Sequence, residues 1–195
     1  MSLDNPAKPL PESPEARLVW RRANETGALP YDPGLRSLLE DPGSLTASLR
    51  RNCGDCFELE LVSEGIEAAS VEDRALLGTG SGRVHVRRVS MRCGSRIWVC
   101  AGTLVPPETL AGAPWLESLG STPLGDALEA RGELRRLAFE FARADSTHPA
   151  FAPALAGADI RPAAVWARRS VFTLDAGPIL VYELFLPGIG GCGRH

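Results

Sequence analysis

A single carboxylate interrupts the apolar run Ile179-Leu-Val-Tyr-Glu-Leu-Phe-Leu186. In a strand, side chains alternate between faces, so Glu183 shares one with Ile179, Val181 and Phe185. That face reads as the core side. An unpaired buried carboxylate is costly and tends to keep its proton. A carboxylic acid kept neutral near neutral pH is what general acid catalysis needs. The same pattern also accommodates an edge-strand glutamate facing water, or a structural partner for an arginine.

The complementary chemistry is cationic. In His85-Val-Arg-Arg-Val-Ser-Met91, alternation puts Arg87 on a face with Val89 and Met91 and turns Arg88 the other way. Arginine grips a carboxylate through two parallel hydrogen bonds, which makes Arg87 a candidate anchor for an acidic ligand. A solvated strand arginine is the alternative. Arg168 and Arg169 open another strand, where they either bind an anion or pair with acids such as Glu140. Cys53 and Cys56 have the spacing of half a zinc site, but no second pair follows. Cys93, Cys100, Cys192, His85, His148 and His195 are scattered, so no metal is expected. There is no phosphate loop, no dinucleotide glycine fingerprint and no nucleophile elbow.

These groups need a scaffold, and 195 residues can bury a core without staples. Hydrophobic residues at 44% and charged residues at 23% are ordinary for a globular chain. A formal net charge of -3 gives no basic field to draw in nucleic acid. No apolar run is long enough to span a bilayer, and the proline-rich start has no signal core. A cytoplasmic location is expected. An odd five cysteines favour free thiols over a disulfide framework.

Residues 1–16, with four prolines, read as a disordered lead. Residues 17–187 read as one domain and 188–195 as a flexible glycine-rich tail. Asp32-Pro33 starts a helix, and Ser44 caps a second that carries Leu45 and Leu49 to the core. Phe57, Leu59 and Leu61 alternate as a strand, and residues 63–82 read as irregular, with a glycine linker at 78–82. Val84 to Met91 and Ile97 to Val105 form a hairpin through Cys93-Gly94-Ser95. Residues 108–131 read as short helices. Leu134 to Ala142 reads as a strand with Leu137, Phe139 and Phe141 on one face, and 144–163 as a surface excursion. Val165 to Leu174 and Ile179 to Leu186 form a last hairpin. Hairpins outnumber strand–helix–strand alternation, so the fold class is α+β: an antiparallel β-sheet with helices packed on one side.

Four stretches in order resemble the chorismate lyases of ubiquinone biosynthesis. They are Trp98-Val-Cys-Ala-Gly-Thr-Leu-Val-Pro106 with Thr109-Leu110, Leu119-Gly-Ser-Thr-Pro-Leu-Gly125, Trp166-Ala-Arg-Arg-Ser170 and Tyr182-Glu-Leu-Phe-Leu-Pro187. The resemblance covers roughly residues 32 to 187. It implies an enclosed ligand site and a monomer that removes pyruvate from chorismate to leave 4-hydroxybenzoate, with no metal or organic cofactor and no membrane or nucleic-acid partner. By position, the substrate-binding arginine falls on Arg87 and the acid on Glu183. A ring-carboxylate amide falls on Leu124, and a lid segment around Leu45. The family's second arginine before Thr103 is replaced by Gly102 here, and Arg88, Arg92 and Arg96 are the nearby substitutes. Two other functions share the scaffold: turnover of a chorismate analogue, and binding of a small aromatic acid without catalysis.

Overall fold

A computed structural model of the chain describes residues 18–25, 27–132, 135–145, 148, 152–155 and 162–189. The proline-rich lead at 1–16 and residues 190–195 of the tail lie outside the described residues. Helix α1 (Pro33–Glu40) begins where Asp32 Oδ1 accepts from the Leu35 amide at 2.7 Å, with proline in its first turn. Helix α2 (Leu45–Cys53) begins where Ser44 Oγ accepts from the Ala47 amide at 3.2 Å. Strand β1 (Phe57–Ala68) and helix α3 (Val71–Leu77) precede the hairpin of β2 (Arg83–Cys93) and β3 (Arg96–Val105). Helices α4 (Pro107–Gly112) and α5 (Leu124–Arg131) follow, then β4 (Glu140–Asp145) and the short α6 (Ala152–Leu155). Strands β5 (Ala164–Leu174) and β6 (Gly177–Phe185) close the fold.

The six strands form one sheet in the order β1-β2-β3-β6-β5-β4, every neighbouring pair antiparallel. On one face, Val89, Met91, Val99, Ala101 and Phe185 pack under Leu39 of α1 and Leu45 and Leu49 of α2. On the same face, Val105, Phe172, Ile179 and Val181 pack under Leu116, Leu119 and Leu128 from the α4–α5 region. None of the described helices is long and apolar enough to cross a membrane.

The α+β antiparallel class agrees with the sequence, but four local expectations need correction. Helices cover both faces: Leu77 of α3 packs on Val84, Val86 and Leu180, and Leu155 of α6 on Cys100, Ala167 and Leu184. The inner strands are buried on both sides, so their second apolar face requires a cover as well. Residues 63–82 are ordered. β1 continues to Ala68 through a register shift between Leu61 and Ser63, which breaks the alternation and masks the strand. After it, Ser70 Oγ caps α3 by accepting from the Asp73 amide, and Gly78 ends that helix at φ 61.

The strand expected from 134 starts only at Glu140, and Leu134 lies outside the described residues. Arg136 bridges Phe172, whereas Glu140 pairs with Arg169, so the stretch between carries one extra residue. That shift leaves Leu137 59% exposed, while Phe139 and Phe141 keep the shared face and pack on the same core cluster. Of the expected excursion at 144–163 the described part includes Leu155, which is fully buried.

The cysteine expectation is corrected too. Cys53 at the end of α2 and Cys93 at the end of β2 form a disulfide, while Cys56 and Cys100 are free. Cys53 is therefore not available as half of a zinc pair. The bond depends on α2 lying over the end of β2, which spacing along the chain does not reveal.

Candidate functional site

Sheet register places the two candidate groups on one face. Val89 pairs with Ala101, Ala101 with Glu183, Glu183 with Arg168, and Arg168 with Phe141. One step along that face, Arg87 pairs with Thr103 and Thr103 with Val181. Arg87 and Glu183 are thus two strands apart and offset by two residues, roughly 12 Å between Cα atoms from strand spacing and rise. Both are buried, at 3% and 8% exposure.

Glu183 is paired and not left alone, which agrees with the arginine-partner reading of the sequence. Arg168 Nε donates to Glu183 Oε2, and Nη2 donates to Oε1 at 3.3 Å. Arg168 Nη1 donates to the carbonyls of Leu38, Leu39 and Asp41 at 3.1, 2.9 and 3.1 Å. Those oxygens belong to the last turn of α1 and its cap, where helical carbonyls lack intrahelical partners. One fully buried guanidinium therefore orients the glutamate and fastens α1 over it. The signal was present in the sequence: counting outward from the Leu174–Gly177 end of the hairpin pairs Arg168 with Glu183. Arg169 faces the other way and pairs with Glu140 and Glu72, at 2.8 Å each, which bears out its structural reading.

Arg87 reaches the turn before α5. Its Nε donates to Gly120 O at 3.2 Å, and Nη2 donates to Gly120 O and Thr122 O at 2.6 and 2.9 Å. Burial pushes its pKa below the ordinary arginine value, and the Glu64 carboxylate opposes that shift. The turn it holds leads into Leu124, the first residue of α5, which has no side-chain cap. The Leu124 amide is thus one of the unsatisfied donors at a helix N-terminus, where anions are favoured. Leu45 opens α2, is buried, and packs with Val89 and Met91 of the same face.

The α1–α2 pair and the α4–α5 region meet above this face. Arg50 Nη1 and Asp126 Oδ2 form an ion pair at 2.8 Å. A Cβ on Gly125 would stand 3.4 Å from Ser44 Oγ, so the two helix starts approach closely. Arg136 Nη1 donates to Pro42 O and Gly43 O at 3.2 and 3.4 Å, which ties the α1–α2 loop to the segment before β4. Arg136 was missed in the sequence, where Arg135-Arg136 looks like a solvated basic pair.

Gly102 lies on the opposite face, paired with Arg88 and Tyr182. It borders a cavity of about 240 Å³ lined by Trp20, Glu67, Arg88, Leu104, Tyr182 and Leu184. Of the proposed substitutes, Arg88 pairs with Glu67 on that far side, and Arg92 donates to Ser95 O at 3.2 Å. Arg96 is exposed at the hairpin turn. None of the three stands beside Arg87 and Glu183.

Residues 15–190 match the chorismate lyase family. The chain belongs to that family. Among its relatives is a probable chorismate pyruvate-lyase of Thiobacillus denitrificans, 38% identical over 158 residues, covering 80% of this chain and 83% of that protein. Another, from Azoarcus sp. strain BH72, is 39% identical over 164 residues, covering 80% and 86%. Membership in the chorismate lyases makes the chain a carbon–oxygen lyase. Its fold is shared with the effector domain of PhnF from Mycobacterium smegmatis, at a TM-score of 0.57 and 20% identity over 75% of this chain and 90% of that one. At that identity the likeness concerns the fold alone.

Proposed function

We propose that this lyase eliminates pyruvate from chorismate and leaves 4-hydroxybenzoate, on the Arg87–Glu183 face beneath the two helical covers. The observation that carries the reading is a buried carboxylate, Glu183, positioned by Arg168 on the same face as a buried guanidinium, Arg87. Arg87 and the Leu124 amide clamp the ring carboxylate, the amide adding the dipole of α5. Leu45 covers the ring from α2.

In the reaction, the ring carbon bearing the hydroxyl loses its hydrogen as a proton. The neighbouring carbon–oxygen ether bond breaks, and its electron pair leaves with the enolpyruvyl oxygen. Glu183 accepts the ring proton and returns it to the departing oxygen, serving first as base and then as acid. That sequence keeps the acid role expected from the sequence and begins from a carboxylate, the form that Arg168 pairs with. The enolpyruvate then becomes pyruvate, and the ring becomes aromatic, which drives the reaction. Placement of the groups supplies most of the catalysis, in a site that the helices screen from water. The protein is taken to act as a monomer on a small-molecule substrate without a cofactor.

The test is incubation of the purified protein with chorismate, with 4-hydroxybenzoate measured by chromatography and pyruvate by a coupled assay. Equal amounts of the two support the reading. Turnover of an amino-substituted analogue but not chorismate points to a different substrate, and binding of 4-hydroxybenzoate without pyruvate release from any substrate points to a binding module.

A further inference from the structure

Arg136 lies on the Arg87–Glu183 face but outside the named strands, with its backbone bridged to Phe172. Its guanidinium stands over the rings of Phe139 and Phe172, with Cζ 4.8 and 4.6 Å from their centroids. Arg168 stands over the same Phe139 ring at 4.4 Å. The two guanidinium carbons are therefore no farther apart than the sum of their distances to that ring. Since Arg168 is engaged with Glu183, Arg136 stands near the Glu183 end of this face.

Its hydrogen bonding is incomplete. Nη1 is fixed on Pro42 O and Gly43 O, but Nε is buried and has no partner. A buried cationic N–H without an acceptor is costly and calls for an explanation. Burial lowers the Arg136 pKa, the Glu183 and Asp41 carboxylates counteract that, and Arg168 adds to it. The same neighbours thus surround it electrostatically. Glu183 and Asp41 balance the two guanidiniums in charge, but neither accepts from the Arg136 Nε–H, which leaves that donor for a further acceptor.

Chorismate carries two carboxylates, one on the ring and one on the enolpyruvyl group, and 4-hydroxybenzoate keeps only the first. With the ring carboxylate on Arg87 and Leu124, the second has no cation yet assigned. We propose that Arg136 is the anchor for the enolpyruvyl carboxylate, which it receives on its unpartnered Nε–H. This rests on the chorismate reading and adds a residue that distinguishes substrate from product.

The test compares a two-carboxylate with a one-carboxylate ligand. In Arg136→Gln, the KM for chorismate should rise at least about tenfold, more than kcat falls, while 4-hydroxybenzoate affinity stays within about twofold of wild type. Arg136→Lys, which keeps the charge but not the planar fork, should fall between the two. An unchanged KM, or equal weakening of both ligands in the folded lysine variant, overturns the assignment. If Arg136→Gln does not fold, the lysine variant decides by the same split. A wild-type protein that neither consumes chorismate nor binds 4-hydroxybenzoate overturns the functional reading instead, and Arg136 with it.

Discussion

Arg168 lies directly across the β5–β6 pair from Glu183 and donates to both of its carboxylate oxygens, while its third nitrogen holds the end of α1. The two are nearly sealed from water, at 0% and 8% exposure. Removing one partner strands a buried charge, at a cost of about 3–5 kcal/mol, whereas replacing both by apolar groups of similar volume can be close to neutral. Arg168→Met should therefore destabilise the protein by roughly that amount. The double change Arg168→Met with Glu183→Leu should recover most of it while remaining inactive. Urea denaturation of the two variants checks this. Additive losses would mean the pair is not coupled.

Arg87 holds the Gly120–Thr122 turn as well as the proposed ligand. Arg87→Met should cut 4-hydroxybenzoate affinity by roughly ten- to a hundredfold and cost about 1–3 kcal/mol of stability, because the turn carbonyls lose their donor. Calorimetric titration and denaturation measure the two effects separately. Wild-type affinity in this variant would remove Arg87 from the site.

The Cys53–Cys93 bond closes a loop across 40 residues and joins α2 to the β2–β3 turn. Chain-entropy arguments give such a closure about 4 kcal/mol of stabilisation. Cys53→Ser, or reduction, should lower the denaturation midpoint by a corresponding amount, with α2 loosening first. Coincident unfolding curves with and without reductant would contradict a formed bond.

Asp41 ends α1, and its carboxylate accepts from Ser48 Oγ at 2.5 Å and the Gly43 amide at 2.8 Å. Burial alone would raise its pKa, but Ser48, Gly43, Arg168 and Arg51 together hold it below the usual value. A carboxyl depressed in the folded state stabilises above its unfolded pKa, and the benefit is lost as pH falls through the folded value. Wild type minus Asp41→Asn should therefore show a stability difference at neutral pH that fades below about pH 4. A difference that does not change with pH would assign the effect to shape, not charge.

Much of the frame was readable from alternation and turn chemistry. The two hairpins, the helix starts at Asp32 and Ser44, and the shared faces of Arg87 and Glu183 follow from residue types alone. What escaped depends on contacts between distant segments. The β1 bulge hid half a strand, the extra residue before β4 redirected Leu137 and Arg136, and the disulfide needed α2 to lie over β2. Gly102 shows how face assignment changes an inference. Alternation already puts it opposite Ala101, so the missing side chain belongs to the far cavity and not to the Glu183 face.

The most direct measurement is turnover of chorismate by wild type and Glu183→Gln side by side, with both products counted and 4-hydroxybenzoate affinity determined for each. Glutamine keeps the shape and cannot carry the proton. Wild type should release pyruvate and 4-hydroxybenzoate in equal amounts, and the variant should be slower by about a hundredfold or more with affinity nearly unchanged. Full turnover by Glu183→Gln, or no products from wild type, would contradict proton transfer by Glu183.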